Sequence, residues 1–427
     1  MSRHSSIAVV SLLSVLAACS FLPVTAAEPI SVGDSDWPWW RGPNRNGTAN
    51  PDQDPPLHWS ESENVLWSAE VPGRGHGSPI VVGDQVLLAT ADLESNQQVV
   101  LCFDRNSGAE LWSTVVHDGG VKPEGRQPNE KASMASSTIA CDGNRLFINF
   151  LNGGALWSSA LDRDGNLLWQ TKVSDYEIHQ GYGASPTLWQ DLVLVSADNK
   201  GGGAIAGLNR EDGSIQWKRE RPKKPNYCSP IVLQAGGKDQ LVMIGCDLVT
   251  SLNPLTGETN WEIEGATTEC VTSTVTDGGR IFTSGGYPDN HISAVAAFGK
   301  GGVVWRNNTR AYVPSLLQKD GYLYATLDAG VAMCLKCDTG EELWKGRLAG
   351  TFSSSPVLVG DRIYATNEEG TTFVFRATPD DFEELAQNKL GESVFATPAI
   401  CGSRIYTRVA HIRDGRRQEV LYCLGTK

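Results

Sequence analysis

The chain has 427 residues, of which 36 are lysine or arginine and 49 are aspartate or glutamate, so its formal net charge is −13. A surface this acidic repels phosphate backbones and anionic lipid headgroups, which argues against nucleic acid as a partner. Hydrophobic residues make up 40% of the sequence, which is enough for a large core. Chains of this length often fold as two or three domains, but that expectation does not hold for repeat proteins.

The N-terminus has the organisation of a secretory signal peptide. Arg3 gives it a basic start, and the apolar run of residues 7–16 is too short to span a bilayer. The four residues that end at Cys19 match a lipobox, in which the cysteine is lipidated, whereas the small residues 25–27 fit ordinary cleavage. We predict a signal peptide over residues 1–27, with lipoprotein cleavage before Cys19 as the alternative. The mature protein is then exported to the periplasm or the outer cell envelope, and touches a membrane only through such an anchor.

A leader rich in tryptophan and proline follows, over residues 28–57. Its densest part is residues 37–43, which hold three tryptophans and two prolines. Because such side chains bury well, we predict that the leader is a strap that packs along the domain beginning at residue 58. A role of the strap in binding is the alternative.

The main signal is a repeat in which a glycine stands four residues before a tryptophan. The pairs are Gly108/Trp112, Gly165/Trp169, Gly213/Trp217, Gly257/Trp261, Gly301/Trp305 and Gly340/Trp344. Each pair is typical of a strand, a turn that needs positive φ, and a second strand that the tryptophan closes. We predict that these tryptophans, together with Trp67, pack between neighbouring repeats.

A second series opens an apolar strand in each repeat with a serine, threonine or proline pair. The openings are Ser78-Pro79, Ser137-Thr138, Ser185-Pro186, Ser229-Pro230, Ser273-Thr274, Pro314-Ser315, Ser355-Pro356 and Thr397-Pro398. Eight openings, with four short strands each, predict an all-β, eight-bladed β-propeller, with seven blades as the alternative. Sustained helical periodicity is lacking, and only residues 380–388 favour a helical turn or two.

The two ends of the repeat array complement each other. The last repeat stops at residues 420–424 without a fourth strand, while an unassigned strand at residues 64–67 precedes the first repeat. Pairing these two segments closes the ring and removes both open sheet edges. The seventh repeat is irregular, because Leu385 stands near the position where its tryptophan is expected.

These motifs resemble the quinoprotein alcohol-dehydrogenase-like superfamily of pyrroloquinoline-quinone-type propellers, over residues 58–427. The leader resembles the start of exported bacterial members. One relative, the lipoprotein of the outer-membrane barrel assembly machinery, implies a non-catalytic scaffold for a cell-envelope protein. The dehydrogenases of the superfamily imply pyrroloquinoline quinone (PQQ) with calcium, but this chain has no two adjacent cysteines and no recognisable calcium set. A polysaccharide-binding or processing protein is a further alternative. We expect a monomer without cofactor or metal, whose partner is a cell-envelope protein or a glycan.

Nine cysteines follow Cys19. Cys102, Cys334 and Cys423 fall at one equivalent place in three repeats, which indicates packing, since buried cysteine behaves as a small hydrophobe. The compartment is predicted to be oxidising, and the number of these cysteines is odd. The alternative is therefore that two of them form one disulfide.

Loop lengths distinguish the two faces of the propeller. If the first strand of each blade is innermost, the loops that lead into it share one face, here called the funnel face, with the loops between second and third strands. The loop from Trp112 to Thr138 on that face is long, and further long loops are predicted at residues 171–183, 285–291 and 410–419. The opposite face, here called the turn face, carries short uniform turns. Because binding groups concentrate on variable loops, we predict that the funnel face is the working face.

Residues just before each inner strand are predicted to point into the axial funnel. They are His76, Lys131, Tyr182, Tyr227, Glu269, Arg310, Tyr312, Phe352 and Phe395. A ring of aromatic side chains with a few charges suits a flat, polar or glycan-like ligand. His76 is the most suggestive of them, because its glycine neighbours leave the imidazole unhindered. The alternative is that these side chains only fill a closed channel mouth. No catalytic residue is identified.

Overall fold

Thirty-two β-strands form eight separate four-stranded antiparallel sheets in the computed structural model, which describes residues 28–426. The predicted signal peptide and Cys19 lie outside the described residues. Within residues 28–426 the structure has no α-helix, and therefore none that is long and apolar enough to cross a membrane. The eight-bladed β-propeller is confirmed, and the seven-bladed alternative is wrong.

The strands follow one another blade by blade. A single strand, β1 (Val65–Val71), precedes the first blade. Blade 1 contains β2 (Ile80–Val82), β3 (Gln85–Asp92), β4 (Gln97–Asp104) and β5 (Glu110–Asp118). Blade 2 contains β6 (Ala140–Cys141), β7 (Arg145–Asn152), β8 (Ala155–Asp162) and β9 (Leu167–Asp175). Blade 3 contains β10 (Thr187–Trp189), β11 (Leu192–Ser196), β12 (Gly203–Asn209) and β13 (Ile215–Arg221). Blade 4 contains β14 (Ile231–Ala235), β15 (Lys238–Gly245), β16 (Leu248–Leu252) and β17 (Thr259–Glu264).

The second half repeats this order. Blade 5 contains β18 (Val275–Thr276), β19 (Arg280–Gly285), β20 (His291–Ala296) and β21 (Val303–Asn307). Blade 6 contains β22 (Leu317–Lys319), β23 (Tyr322–Leu327), β24 (Val331–Lys336) and β25 (Glu342–Arg347). Blade 7 contains β26 (Val357–Val359), β27 (Arg362–Thr366), β28 (Thr371–Arg376) and β29 (Glu384–Lys389). Blade 8 contains β30 (Ala399–Cys401), β31 (Arg404–Arg413), β32 (Arg416–Leu424) and the early strand β1.

The first strand of each blade lies nearest the axis. First strands contact first strands of neighbouring blades, as β6 does with β10, β10 with β14, and β2 with β30. Two-residue turns join β2 to β3 and β26 to β27 on the turn face. The funnel face and the turn face are therefore arranged as the sequence predicts.

The ring is closed by antiparallel pairing of β1 with β32. Val65 lies opposite Leu424, Trp67 opposite Cys423, and Ala69 opposite Leu421. The beginning and the end of the domain thus share one sheet, which confirms the predicted closure.

Six of the seven repeat tryptophans lie on a glycine of the following blade, whereas Trp344 packs against Phe375 and Phe382 of blade 7. A Cβ added to Gly213 of blade 3 would come within 2.5 Å of Trp169 of blade 2, and one added to Gly108 would come equally close to Trp67. Gly165, Gly257, Gly301 and Gly340 lie in the same way against Trp112, Trp217, Trp261 and Trp305. These glycines have φ between +71° and +87°, which the turn requires and which glycine adopts without strain. Because glycine has no Cβ, the tryptophan ring can also lie directly on its backbone.

Hydrogen bonds fix the same contacts. The indole nitrogen of Trp67 donates to the carbonyl oxygen of Arg105 at 3.0 Å, and that of Trp344 donates to Thr378 at 2.8 Å. Trp261 differs, because its indole nitrogen donates to Gln240 of its own blade at 3.0 Å. The tryptophans therefore join neighbouring blades through packing and, at most positions, through a hydrogen bond as well.

Blade 7 departs from the prediction in two respects. The expectation of helix at residues 380–388 is wrong, because pairing with β28 makes most of this segment the outer strand β29. Tertiary pairing here outweighs local helix propensity. The position of the tryptophan is taken by Ala386, which lies opposite Val374, and not by Leu385. Trp59 stacks on Tyr364 with ring centroids 6.4 Å apart, and so fills space that a blade tryptophan occupies elsewhere.

The nine cysteines from Cys102 to Cys423 are all buried and free. Cys102, Cys334 and Cys423 each lie opposite a blade tryptophan in the sheet register. Burial raises the pKa of Cys228 to about 11, so this thiol stays protonated near neutral pH. No disulfide joins the described cysteines.

The leader crosses the propeller axis rather than running along the outside. Trp37 exchanges backbone hydrogen bonds with Val81 of blade 1, and Gly47 accepts one from Leu358 of blade 7. Between them, the fully buried guanidinium of Arg41 donates to the carbonyl oxygens of Leu316 (2.6 Å) and Pro356 (3.1 Å). Burial lowers the pKa of Arg41 to about 9. The leader therefore fills the axial channel on the side of the turn face.

We expect Gly213→Ala to destabilise the propeller more than Gly415→Ala. Both glycines have φ of +73°, so the backbone strain of alanine is matched. Only Gly213 lies against a tryptophan, while the space around Gly415 is open. The additional loss for Gly213→Ala is about 1–3 kcal/mol, the range for overpacking. Urea unfolding of the two variants measures it, and equal losses would contradict the docking role of the glycine.

Candidate functional site

An open cavity of about 430 Å³ occupies the axial funnel, and all eight blades contribute to its wall. The structure brings eight of the nine predicted funnel residues into this wall. They are His76, Lys131, Tyr182, Tyr227, Arg310, Tyr312, Phe352 and Phe395. The convergence follows from the repeat, because equivalent positions before each inner strand point to one axis.

Glu269 is the exception. Its side chain is only 3% exposed and lies behind Tyr312, whose hydroxyl is 3.1 Å from the carboxylate. The expectation that it faces the funnel is wrong, because a backbone bridge to Tyr287 turns this segment towards blade 5. Glu269 therefore supports the wall and does not form it.

A network of four titratable side chains extends from Tyr227 to Tyr312. Nδ1 of His179 lies 3.1 Å from the Tyr227 hydroxyl and 3.2 Å from Glu269, which in turn accepts from Tyr312. Burial raises the pKa of Glu269 and lowers that of His179. His179 was not predicted, because it lies inside a long loop rather than just before a strand.

His76 is held as a neutral imidazole. Its ring stacks on Phe395 with centroids 4.4 Å apart, and its backbone nitrogen donates to Ala135 at 3.0 Å. Burial, followed by the charges of Arg74, Arg408 and other guanidinium groups, keeps the pKa of His76 well below its ordinary value. It therefore offers hydrogen bonding and an aromatic face, not a positive charge.

An ion pair crosses the mouth of the funnel. Lys131 of blade 2 lies 2.8 Å from both carboxylate oxygens of Glu368 in blade 7, although blades 1 and 8 stand between them. Ser353 donates to the same carboxylate at 2.7 Å. The pair is half open to water, so it narrows the mouth without sealing it.

A belt of hydroxyl groups surrounds the axis below the aromatic wall. In each link, a backbone N–H of one blade donates to the serine or threonine hydroxyl of the next, at 2.9–3.0 Å. One arc runs Ser78–Thr138–Ser185–Ser229 and the other Ser273–Ser315–Ser355–Thr397. Where the arcs meet between blades 4 and 5, the hydroxyl of Ser273 accepts from the indole nitrogen of Trp40 at 2.8 Å.

Trp40 gives the funnel its floor. It comes from the leader and lines the same cavity as the predicted residues. Its position was not predicted, because the sequence shows that the leader is rich in tryptophan but not that it enters the axis. The funnel is consequently a blind cavity, with an aromatic floor, an aromatic wall and a polar mouth.

The funnel face also carries a projecting hairpin. Residues 410–419 were expected to be a long loop, and this is wrong, because β31 and β32 continue as paired strands to Arg413 and Arg416. Asp414 and Gly415 form the two-residue turn with φ of +51° and +73°, as type I′ turns require. The Asp-Gly pair was the sequence signal for this turn. Ile412 beside it is 50% exposed.

The funnel does not suit calcium with PQQ. Its carboxylates already have partners: Glu368 pairs with Lys131, and Asp328 accepts from the backbone of Tyr312 at 2.7 Å. Among residues 28–426, the group of three side chains with metal-ligating geometry lies outside the funnel wall. A calcium ion would have to displace these contacts, so the residues present do not fit the group.

Comparison with known families finds a family model that matches most of the chain. The family model described as outer membrane protein assembly factor BamB matches residues 53–158, 96–290 and 288–379. BamB of Burkholderia pseudomallei is 25% identical over 367 residues, which cover 82% of this chain and 86% of that protein. Tetrathionate hydrolase of Acidithiobacillus ferrooxidans is 23% identical over 80% of this chain, which spans only 64% of that enzyme.

Among solved structures, quinohemoprotein alcohol dehydrogenase of Comamonas testosteroni superposes with a TM-score of 0.65. The match covers 92% of this chain and 81% of that protein at 12% identity. Identity this low shows a shared fold alone.

We expect His76→Asn to flatten the pH dependence of stability between pH 7.5 and 5. The folded pKa of His76 is depressed, so its contribution is present above the unfolded pKa of about 6.5 and is lost as pH falls below it. Below pH 6.5 the wild type should lose stability faster than the variant, by at most about 1.4 kcal/mol per pH unit. Urea unfolding at several pH values measures the difference, with the exposed His58→Asn as control. Parallel profiles of wild type and His76→Asn would contradict a buried neutral imidazole.

Proposed function

The chain belongs to the family of the outer membrane protein assembly factor BamB, and from this premise we propose that it is an exported, non-catalytic scaffold protein of the cell envelope. It binds a partner protein through the funnel face. The predicted signal peptide agrees with export, and the family name agrees with work at the outer membrane. The observation that carries the proposal is the projecting hairpin of blade 8.

The hairpin has the properties of a docking element. Ile412 offers an exposed apolar side chain, and Arg413 and Arg416 flank the turn with exposed positive charge. On a chain of net charge −13, this local positive charge favours an acidic surface on the partner. Leu93, in the loop between the second and third strands of blade 1, is a further exposed apolar side chain on the funnel face. An apolar centre with a charged rim is typical of protein interfaces.

The funnel beneath the hairpin suits a supporting role. Its carboxylates are engaged with protein groups, and its histidine is neutral and stacked on Phe395. Such a cavity favours insertion of a flat or aromatic group of the partner over acid–base chemistry.

A PQQ-dependent dehydrogenase and a polysaccharide-processing protein are the competing functions. Addition of PQQ with calcium should leave the melting temperature unchanged, whereas a native-state ligand would raise it.

We expect a photo-crosslinking amino acid at position 412 to capture one defined envelope protein in intact cells. The same probe at position 255 should not capture it, because Leu255 lies on the turn face. The two sites are matched in exposure, at 50% for Ile412 and 45% for Leu255. Mass spectrometry identifies the captured protein. Equal capture at both positions, or capture at neither, would contradict docking through the hairpin.

A charge-reversal pair tests the same surface in purified form. Arg413→Glu with Arg416→Glu should weaken binding of the captured partner at least about tenfold and slow its association. Lys238→Glu with Lys300→Glu makes the same charge change on exposed side chains of the turn face and should leave affinity unchanged. Surface plasmon resonance at two salt concentrations measures both variants.

A further inference from the structure

Three side chains from separate parts of the chain meet beside the base of the blade 8 hairpin. Glu61 comes from the segment before β1, Glu392 from the loop between β29 and β30, and His411 from β31. One ligand atom from each lies within 4.8 Å of the other two. Nδ1 of His411 is 3.3 Å from Glu392 and 3.6 Å from Glu61.

The imidazole is fixed in place for this contact. The side chain of His411 is only 4% exposed, and its Nε2 lies 3.0 Å from the hydroxyl of Tyr422. Nδ1 points towards the two carboxylates but makes no well-formed hydrogen bond with any described residue. Metal-bound histidines are oriented in this way, by a partner on the second ring nitrogen.

The carboxylates are also arranged for a cation. Oε2 of Glu392 accepts from the backbone N–H of Ile412 at 3.0 Å, and this contact holds the same oxygen 3.3 Å from Nδ1 of His411. Within residues 28–426, neither Glu61 nor Glu392 forms an ion pair with a lysine or arginine. Two convergent carboxylates repel each other unless a positive charge lies between them.

We propose that Glu61, Glu392 and His411 bind a divalent first-row transition metal ion. One imidazole nitrogen and two carboxylate oxygens, with water in the remaining positions, form a donor set that such ions accept. The nitrogen donor disfavours calcium and magnesium, which prefer all-oxygen sites. The ion joins the segment before β1, the loop between blades 7 and 8, and the second strand of blade 8. It therefore stabilises the closed ring and the base of the hairpin.

The test uses the purified mature chain, stripped of metal by a chelator. Isothermal titration with Zn²⁺ and with Mn²⁺ should give one ion per chain, and each ion should raise the melting temperature, because it binds only the folded ring. Ca²⁺ and Mg²⁺ at the same concentration should bind much more weakly. These measurements need no partner, so their outcome is separate from that of the proposed function.

Matched variants assign the ligands. Glu61→Gln and Glu392→Gln change exposed side chains and should each weaken Zn²⁺ binding at least about tenfold. Glu63→Gln changes an exposed carboxylate two residues away and should bind as the wild type does. Pulsed electron paramagnetic resonance of the Mn²⁺ form should detect one imidazole nitrogen, which avoids a variant of the buried histidine. The proposal is overturned by unaltered affinity in the double glutamine variant, by a missing nitrogen signal, or by the lack of any stoichiometric binding.

Discussion

A ring of blades has two free ends, and the pairing of β1 with β32 is the contact that joins them. It supplies the outer strand of blade 8, and it also places Trp67 on Gly108 of blade 1. Opening this pairing would therefore expose two sheet edges and remove one blade-to-blade contact at the same time. Because each blade packs against its two neighbours, the loss would weaken the adjoining blade contacts as well.

The leader imposes a second constraint, because it fills one side of the axis. Arg41 is buried without a carboxylate partner among residues 28–426, and its charge is offset by the carbonyl oxygens of Leu316 and Pro356, which precede two inner strands. Burial of a charged group on this basis requires a well-fitted site, so the leader has one docked position. Trp40 then ends the funnel from below. Among the described residues, the leader thus lines the axial cavity from the side of the turn face, and we propose that a partner approaches from the funnel face.

The sequence specifies most of the fold because the fold is periodic. Gly213 predicts a turn with positive φ, and Ser185 predicts the start of an inner strand. Both predictions succeed because these two features recur from blade to blade. The wall of the funnel follows from the same periodicity. What does not repeat was not predictable: His179 and the pair Lys131–Glu368 depend on loops of individual length and on side-chain packing between distant blades. The prediction of a long loop at residues 410–419 is wrong for a related reason, because length alone does not distinguish a loop from an extended hairpin.

Buried and exposed charges occupy different parts of the funnel face. Burial raises the pKa of Glu269 behind the funnel wall and depresses that of His76 in the wall, so it disfavours the charged form of both side chains. The hairpin carries exposed charge at Arg413 and Arg416. A buried side chain that already has hydrogen-bond partners stabilises the scaffold. An exposed charge on a projecting hairpin is available to bind a partner. For this reason we propose the blade 8 hairpin, and not the floor of the funnel, as the first point of contact with a partner.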